Sequence, residues 1–197
     1  PAALKIAPEV VAIPLTYIIN NIIREGIVPD CWKIARVLPQ HKKKDKKQVA
    51  NYRPVSILPS ASKIMEEVVR RQFGKYLERY KILPNTQYGF RSRLSTIHAA
   101  GAAYHDWQKA KQDGLCCGAL FFDLSAAFDT LDVDLLVRKL VVYGAGPSVV
   151  SWVRSYMTGR RQMVEYDSSS SDIVEVTVGS PQGSVISPLL FLVMVSD

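Results

Sequence analysis

The 197-residue chain is 48% hydrophobic and 22% charged, with a net charge of +7. This composition supports a packed core and excludes an intrinsically disordered chain, and the length bounds it to one domain or a piece of a larger one. The surplus charge is local: residues 33–53 carry eight basic residues and one acid, Asp45, and the remainder is balanced. A patch of that kind points to a polyanion, either nucleic acid or nucleotide phosphate.

Three cysteines, Cys31, Cys116 and Cys117, make no disulfide framework and no CxxC zinc motif, which suits a reducing compartment. Lys5, Pro8, Glu9 and Pro14 interrupt the apolar stretch at residues 1–15, which is therefore not expected to be a signal peptide. The late apolar run 185–195 contains Pro188 and is too short to cross a bilayer. No membrane association is expected. The chain begins at Pro1 rather than Met and stops after an apolar run, so a fragment is expected.

In chain order, residues 8–24 show helical periodicity, with Pro14 as a kink or start and Gly26 and Pro29 as terminators. Residues 32–39 read as a strand and 55–58 as its return, with the lysine run at the tip of the hairpin. Residues 62–80 form the clearest helix. Met65, Val69, Phe73, Tyr76 and Tyr80 line one face, while Lys63, Glu66, Glu67, Arg70, Arg71, Lys75, Glu78 and Arg79 occupy the other. An Ala-rich helix follows at 95–111 with Ser95 as N-cap. His98 and His105 share a face of it without an i, i+4 partner and read as core or partly exposed residues. Residues 115–124 read as a buried strand in which Cys116 and Cys117 pack. Short helices are expected at 134–143 and 148–157, a strand hairpin at 160–166 and 173–178, and a helix from 187 to 195. Helices and hairpins without a βαβ rhythm argue for an α+β fold.

Two segments carry the chemistry. The run Leu120-Phe-Phe-Asp-Leu-Ser-Ala-Ala-Phe-Asp delivers Asp123 at the end of an apolar stretch, with Phe128 five residues on. A carboxylate placed there requires a partner or a metal ion. Asp129, Asp132 and Asp134 crowd the same region. A calcium loop is excluded because Ser125 and Ala127 hold ligand positions and the required glycine is absent. Asp129 and Asp132 are expected to bond backbone amides nearby. Fifty-nine residues after Asp123, Gln182 stands in Gly179-Ser-Pro-Gln-Gly-Ser-Val-Ile-Ser-Pro188, a sharp glycine-bearing turn into a helix.

With Asn51-Tyr-Arg-Pro-Val-Ser-Ile-Leu58 and Gln87-Tyr-Gly-Phe-Arg-Ser-Arg-Leu-Ser-Thr96, these segments follow the order of reverse transcriptase motifs. The chain resembles the reverse transcriptase domain of non-LTR (LINE-like, jockey-type) retrotransposons from about Trp32 onward. The resemblance implies an α+β right-hand polymerase: mainly fingers at 32–112, a palm strand with motif A at 115–131, connecting helices and a fingers hairpin at 132–178, and motif B of the palm at 179–197. It implies an RNA-directed DNA polymerase with an RNA template, a DNA primer and deoxynucleoside triphosphates as partners. Mg²⁺, or Mn²⁺, would support two-metal nucleotidyl transfer.

By the same resemblance Asp123 is the catalytic metal ligand, and Phe128 lies under the sugar of the incoming nucleotide. Gln182 and Gly183 contact the nucleotide and template base, and Arg53 reaches the α-phosphate. Lys43 or Lys44 meets the triphosphate, with Lys42 equally open in the triple run. Arg91 is a template-backbone candidate. The family often has glycine where Arg93 or Leu94 stands, so this turn departs from its pattern. The family's Asp-Asp motif does not occur in the 197 residues, so the chain by itself is expected to be inactive. The alternative is a non-catalytic nucleic-acid-binding remnant. An intracellular location, nucleus or cytoplasm, is expected.

Overall fold

The structure is a computed structural model that describes residues 7–43, 45–124 and 126–196. Among these residues the elements run α1 (Pro8–Glu25), β1 (Ile34–His41), β2 (Tyr52–Ile57), α2 (Ser60–Arg79), α3 (Thr96–Gln112), α4 (Val133–Val142), α5 (Pro147–Met157), β3 (Arg160–Tyr166), β4 (Ser169–Ser170), β5 (Val174–Val176) and α6 (Ser187–Met194). The α+β expectation holds.

Local chemistry explains the helix ends. Pro8, Pro147 and Pro188 stand in first turns, where a missing N–H costs nothing. Asp132 caps α4 by accepting from Leu135 N at 2.8 Å, as expected of it. Gly26 closes α1 at φ +70°, and a Cβ there would lie 2.7 Å from Ser151 Cβ. Pro14 lies within α1. Ser95 does not cap α3 with its side chain: its hydroxyl bonds His98 Nδ1 at 2.8 Å.

The sheet order is β2-β1-β3, with β4 and β5 both pairing β3. The β1–β2 hairpin is antiparallel, with Gln40 opposite Arg53, and carries the lysine loop at its tip. β1 and β3 pair in parallel, with Ile34 opposite Arg161. A helical layer holds the core, in which Met65, Leu77, Leu136, Leu140, Trp152, Tyr156, Ile186 and Leu190 are almost fully buried. Burying such side chains contributes about 1.5–3 kcal/mol each before entropy is counted. Trp152 stacks on Tyr156 at 5.1 Å, and Lys139 Nζ donates to Met194 O, tying α4 to the end of α6.

Several expectations fail. Residues 115–124 form no strand and are exposed, with Phe121 and Phe122 each 85% accessible. The physical reason is lateral: no strand among the described residues runs beside this segment, and an apolar run without a hydrogen-bonding neighbour is not held as a strand. Cys116 and Cys117 are therefore exposed thiols rather than packed ones, and His98 and His105 are exposed as well. Glu66, expected on the polar face of α2, is instead fully buried, and Tyr80 at the end of the apolar face is exposed.

Candidate active site

Three segments converge on one open cleft of about 750 Å³. The tip of the β1–β2 hairpin contributes Lys42 and Arg53, residues 123–129 contribute Asp123, Phe128 and Asp129, and the turn before α6 contributes Gln182 and Gly183. Phe90 completes the wall. Of the three consecutive lysines, Lys42 lines the cleft. Lys43 is exposed at the loop, and Lys44 lies outside the described residues.

The backbone knits these segments together. Ser180 N donates to Phe128 O at 2.8 Å, and Gly179 N donates to Leu131 O at 3.3 Å. Gly179 has φ +85°, and a Cβ there would meet Asp129 Cα and O at 2.7 Å. On the opposite side Ser56 N, in β2, donates to Gln182 O at 2.7 Å, and a Cβ on Gly183 (φ +118°) would lie 2.6 Å from Ser56 O. Both glycines thus combine a left-handed φ with close backbone approach, which a side chain would prevent. The turn 179–184 is clamped between the hairpin and the segment 126–131.

Asp129 does not bond backbone amides as its sequence context suggested. Both of its carboxylate oxygens accept from Gln182 Nε2 at 2.9 Å. That bond orients the Gln182 amide along the cleft wall. Phe128 is half-buried between Phe191, at 5.4 Å, and Phe90, at 6.5 Å edge-on. Phe90 adopts φ +58° and is 64% exposed. Bulky side chains rarely take that conformation, and such strain gathers at binding sites.

Arg91 is engaged within the fold. It forms a two-pronged ion pair with Glu78 at 2.7 and 2.8 Å and donates to Pro84 O at 2.8 Å, so the 84–91 turn is fastened to α2. The Glu78 hydrogen bond and charge raise the Arg91 pKa, and Arg91 lowers that of Glu78. Two residues on, Arg93 has φ +64°, so it keeps a glycine-like backbone where the expected pattern has glycine.

Asp123 is an exposed carboxylate on the cleft wall, and among the described residues no group of three His, Cys, Asp or Glu gathers to hold a metal ion. Its chemistry fits one ligand position on a hard divalent cation that takes its remaining ligands from water and phosphate oxygens. Asp129 is occupied by Gln182. Sequence reasoning missed Phe90 and the Asp129–Gln182 bond. The first sits inside the Gly-Phe-Arg motif and was legible as an aromatic beside a basic residue, whereas the second is a tertiary contact across 53 residues.

A cleft lined by a carboxylate, two cations and an amide-bearing glycine turn suits a phosphate-rich substrate. Residues 41–197 match the family model described as reverse transcriptase (RNA-dependent DNA polymerase), and the chain belongs to that family. It is 34% identical over all 197 residues to the probable RNA-directed DNA polymerase from transposon BS of Drosophila melanogaster, covering 22% of that protein. It is 32% identical over 197 residues to the probable RNA-directed DNA polymerase from transposon X-element of Drosophila melanogaster, again covering 22%. Similarity to the RNA-directed DNA polymerase from mobile element jockey of the same species is 30% over 196 residues, 98% of this chain and 21% of the relative. The chain spans about a fifth of the length of these curated relatives. No helix among the described residues is long and apolar enough to cross a membrane.

Proposed function

We propose that the protein carrying this chain is an RNA-directed DNA polymerase of a non-LTR retrotransposon, and that the cleft between the β1–β2 hairpin and the 179–184 turn receives a deoxynucleoside triphosphate. The observation that carries this reading is the convergence of Lys42, Arg53, Asp123, Phe128 and Gln182 on one cleft from segments far apart in sequence. In this reading 32–112 are mainly fingers, 115–131 and 179–197 belong to the palm, and 132–178 connect them. Lys42 and Arg53 neutralise triphosphate charge, and Lys43 and Lys44 add to the positive charge of the same sequence run. Phe128, braced by Phe90 and Phe191, faces the sugar. Gln182, oriented by Asp129, and Gly183 frame the base. Arg91 serves the template path by fastening the 84–91 turn.

Asp123 would hold Mg²⁺, or Mn²⁺, and such an ion stabilises charge on the attacking and leaving oxygens of phosphoryl transfer. One carboxylate is too few for two ions, so the 197 residues by themselves are expected to show no primer extension. RNA template, DNA primer and nucleotides are the proposed partners, inside the cell in the nucleus or cytoplasm.

The test is Asp123→Asn in the complete polypeptide. Loss of at least about a thousandfold in extension with primer–template binding retained supports the reading. Undiminished extension overturns it. RNA binding without any extension by the unaltered polypeptide favours the non-catalytic binding remnant.

A further inference from the structure

Glu66 does not line the cleft. It sits on α2, 0% exposed, and forms no ion pair with a Lys or Arg among the described residues. A buried carboxyl group without a cation is a costly way to fill a helix interface, where an apolar side chain would serve. Its hydrogen bonds show what it holds. Oε2 accepts from Ser184 Oγ at 2.9 Å and from Val185 N at 2.7 Å, and Oε1 accepts from Ser62 Oγ at 3.1 Å.

The network extends beyond Glu66. Ser184 Oγ accepts from the Tyr156 phenol at 2.8 Å, and also from Ile186 N at 3.2 Å and Ser187 N at 3.1 Å. Since the single Ser184 proton goes to Glu66, the phenol must be the donor of its pair. Burial, with the charge of Glu66 beside it, pushes the Tyr156 phenol up and keeps that proton in place. Glu66 thereby joins α2, α5 and the first turn of α6 at one point, the C-terminal end of the 179–184 turn. The N-terminal end is fixed separately by Ser180 N on Phe128 O. Gln182 and Gly183 lie between the two anchors.

We propose that Glu66 is a positioning residue for the incoming nucleotide: through Ser184 and Val185 it fixes the turn that presents Gln182 and Gly183 to the cleft. The inference rests on the reading of the cleft as a nucleotide site. It predicts that losing the anchor weakens nucleotide binding selectively, because in that reading the turn frames the incoming base, whereas contacts to the phosphate backbone dominate primer–template affinity.

The experiment compares Glu66→Leu and Glu66→Gln in the complete polypeptide. The readouts are KM for a deoxynucleoside triphosphate, kcat, Kd for primer–template, and hydrogen exchange of the 182–187 amides. Glu66→Leu leaves two donors of the turn unsatisfied. It is expected to raise the nucleotide KM by about tenfold or more, leave primer–template Kd unchanged, and speed exchange at Val185. Glu66→Gln is expected to stay within about threefold, since its carbonyl accepts both turn donors and its NH₂ donates to the Ser62 hydroxyl. A fall in kcat that tracks the folded fraction, with KM unchanged, would make Glu66 a scaffold residue only and overturn the proposal. If Glu66→Leu fails to fold, Tyr156→Phe removes one donor of the same network and is expected to raise KM by about threefold; an unchanged KM overturns it too. If the unaltered polypeptide extends no primer, the polymerase reading falls by itself. The exchange readout still decides the anchor, with unchanged Val185 exchange in Glu66→Leu counting against it.

Discussion

Gln182 donates from its side-chain amide to both carboxylate oxygens of Asp129, at 2.9 Å each, across 53 residues of sequence. The bond joins the segment that bears Asp123 to the turn before α6. Asp129→Ala releases the amide by removing a carboxylate whose two oxygens both accept from it. The expected result is a rise of roughly three- to tenfold in nucleotide KM, with kcat less affected, read by steady-state extension kinetics. Gln182→Ala is expected to lose at least as much, and the double variant little more than Gln182→Ala. Fully additive losses would show that the two residues act apart.

Gly183→Ala tests the contact between the turn and β2. The added Cβ would lie 2.6 Å from Ser56 O at a φ of +118°. Strain of this kind costs about 1–3 kcal/mol, and displacement of the turn adds to it. Extension is expected to fall at least about tenfold and the melting temperature by several degrees. A variant with unaltered melting and activity would mean that β2 and the turn are not in contact.

Lys42→Ala and Lys43→Ala separate neighbours that the sequence leaves equivalent. Lys42 lines the cleft, and Lys43 is exposed and is not part of its wall. Lys42→Ala is expected to raise nucleotide KM by about fivefold or more, and Lys43→Ala by less than about twofold. Equal effects would show that the loop closes over the substrate as a unit.

Acid stability offers a fourth check, independent of activity. Hydrogen bonds from Arg70 and Arg71 hold Glu67 at a pKa of about 2, below its ordinary 4.5, and Arg91 lowers Glu78 in the same direction. A depressed carboxyl stabilises the fold above its unfolded value and loses that contribution as pH falls through the folded one. Glu67 is therefore fully stabilising above pH 4.5 and loses its effect toward about 2. Arg70 and Arg71 are 43% and 71% exposed, so solvent screening keeps the effect small. Glu67→Gln is expected to lower the melting temperature slightly near neutral pH and to flatten its decline below about pH 4. An identical acid slope in the variant would remove the ion pairs from the account.

Much of the scaffold was legible because its signals are local. The helices at Pro8–Glu25 and Ser60–Arg79 announce themselves by apolar spacing, and the β1–β2 hairpin by two apolar runs around a lysine tip. Residues 115–124 have the composition of a strand, but a strand requires a neighbour, which composition does not specify. Glu66 stands beside Glu67 in a charged stretch, and only the arrival of Ser184 and Val185 from 118 and 119 residues away makes it interior. Arg53, Asp123, Phe128, Gln182 and Gly183 were named from their motifs and line the cleft. The Asp129–Gln182 bond and the place of Lys42 on the cleft wall needed the fold, since distances across the cleft are set by β1, β2 and the 179–184 turn together.

The parallel pairing of β1 with β3 has a consequence for synthesis. Ile34 meets Arg161, so the sheet cannot close until more than 120 residues have followed β1 out of the ribosome. At ordinary elongation rates that delay is roughly ten seconds, during which the lysine-tipped hairpin presents an open edge. Non-local pairing of this kind is slow to form and invites wrong partners. The nascent chain is most vulnerable to aggregation in that interval, and a chaperone would matter there more than at any later stage.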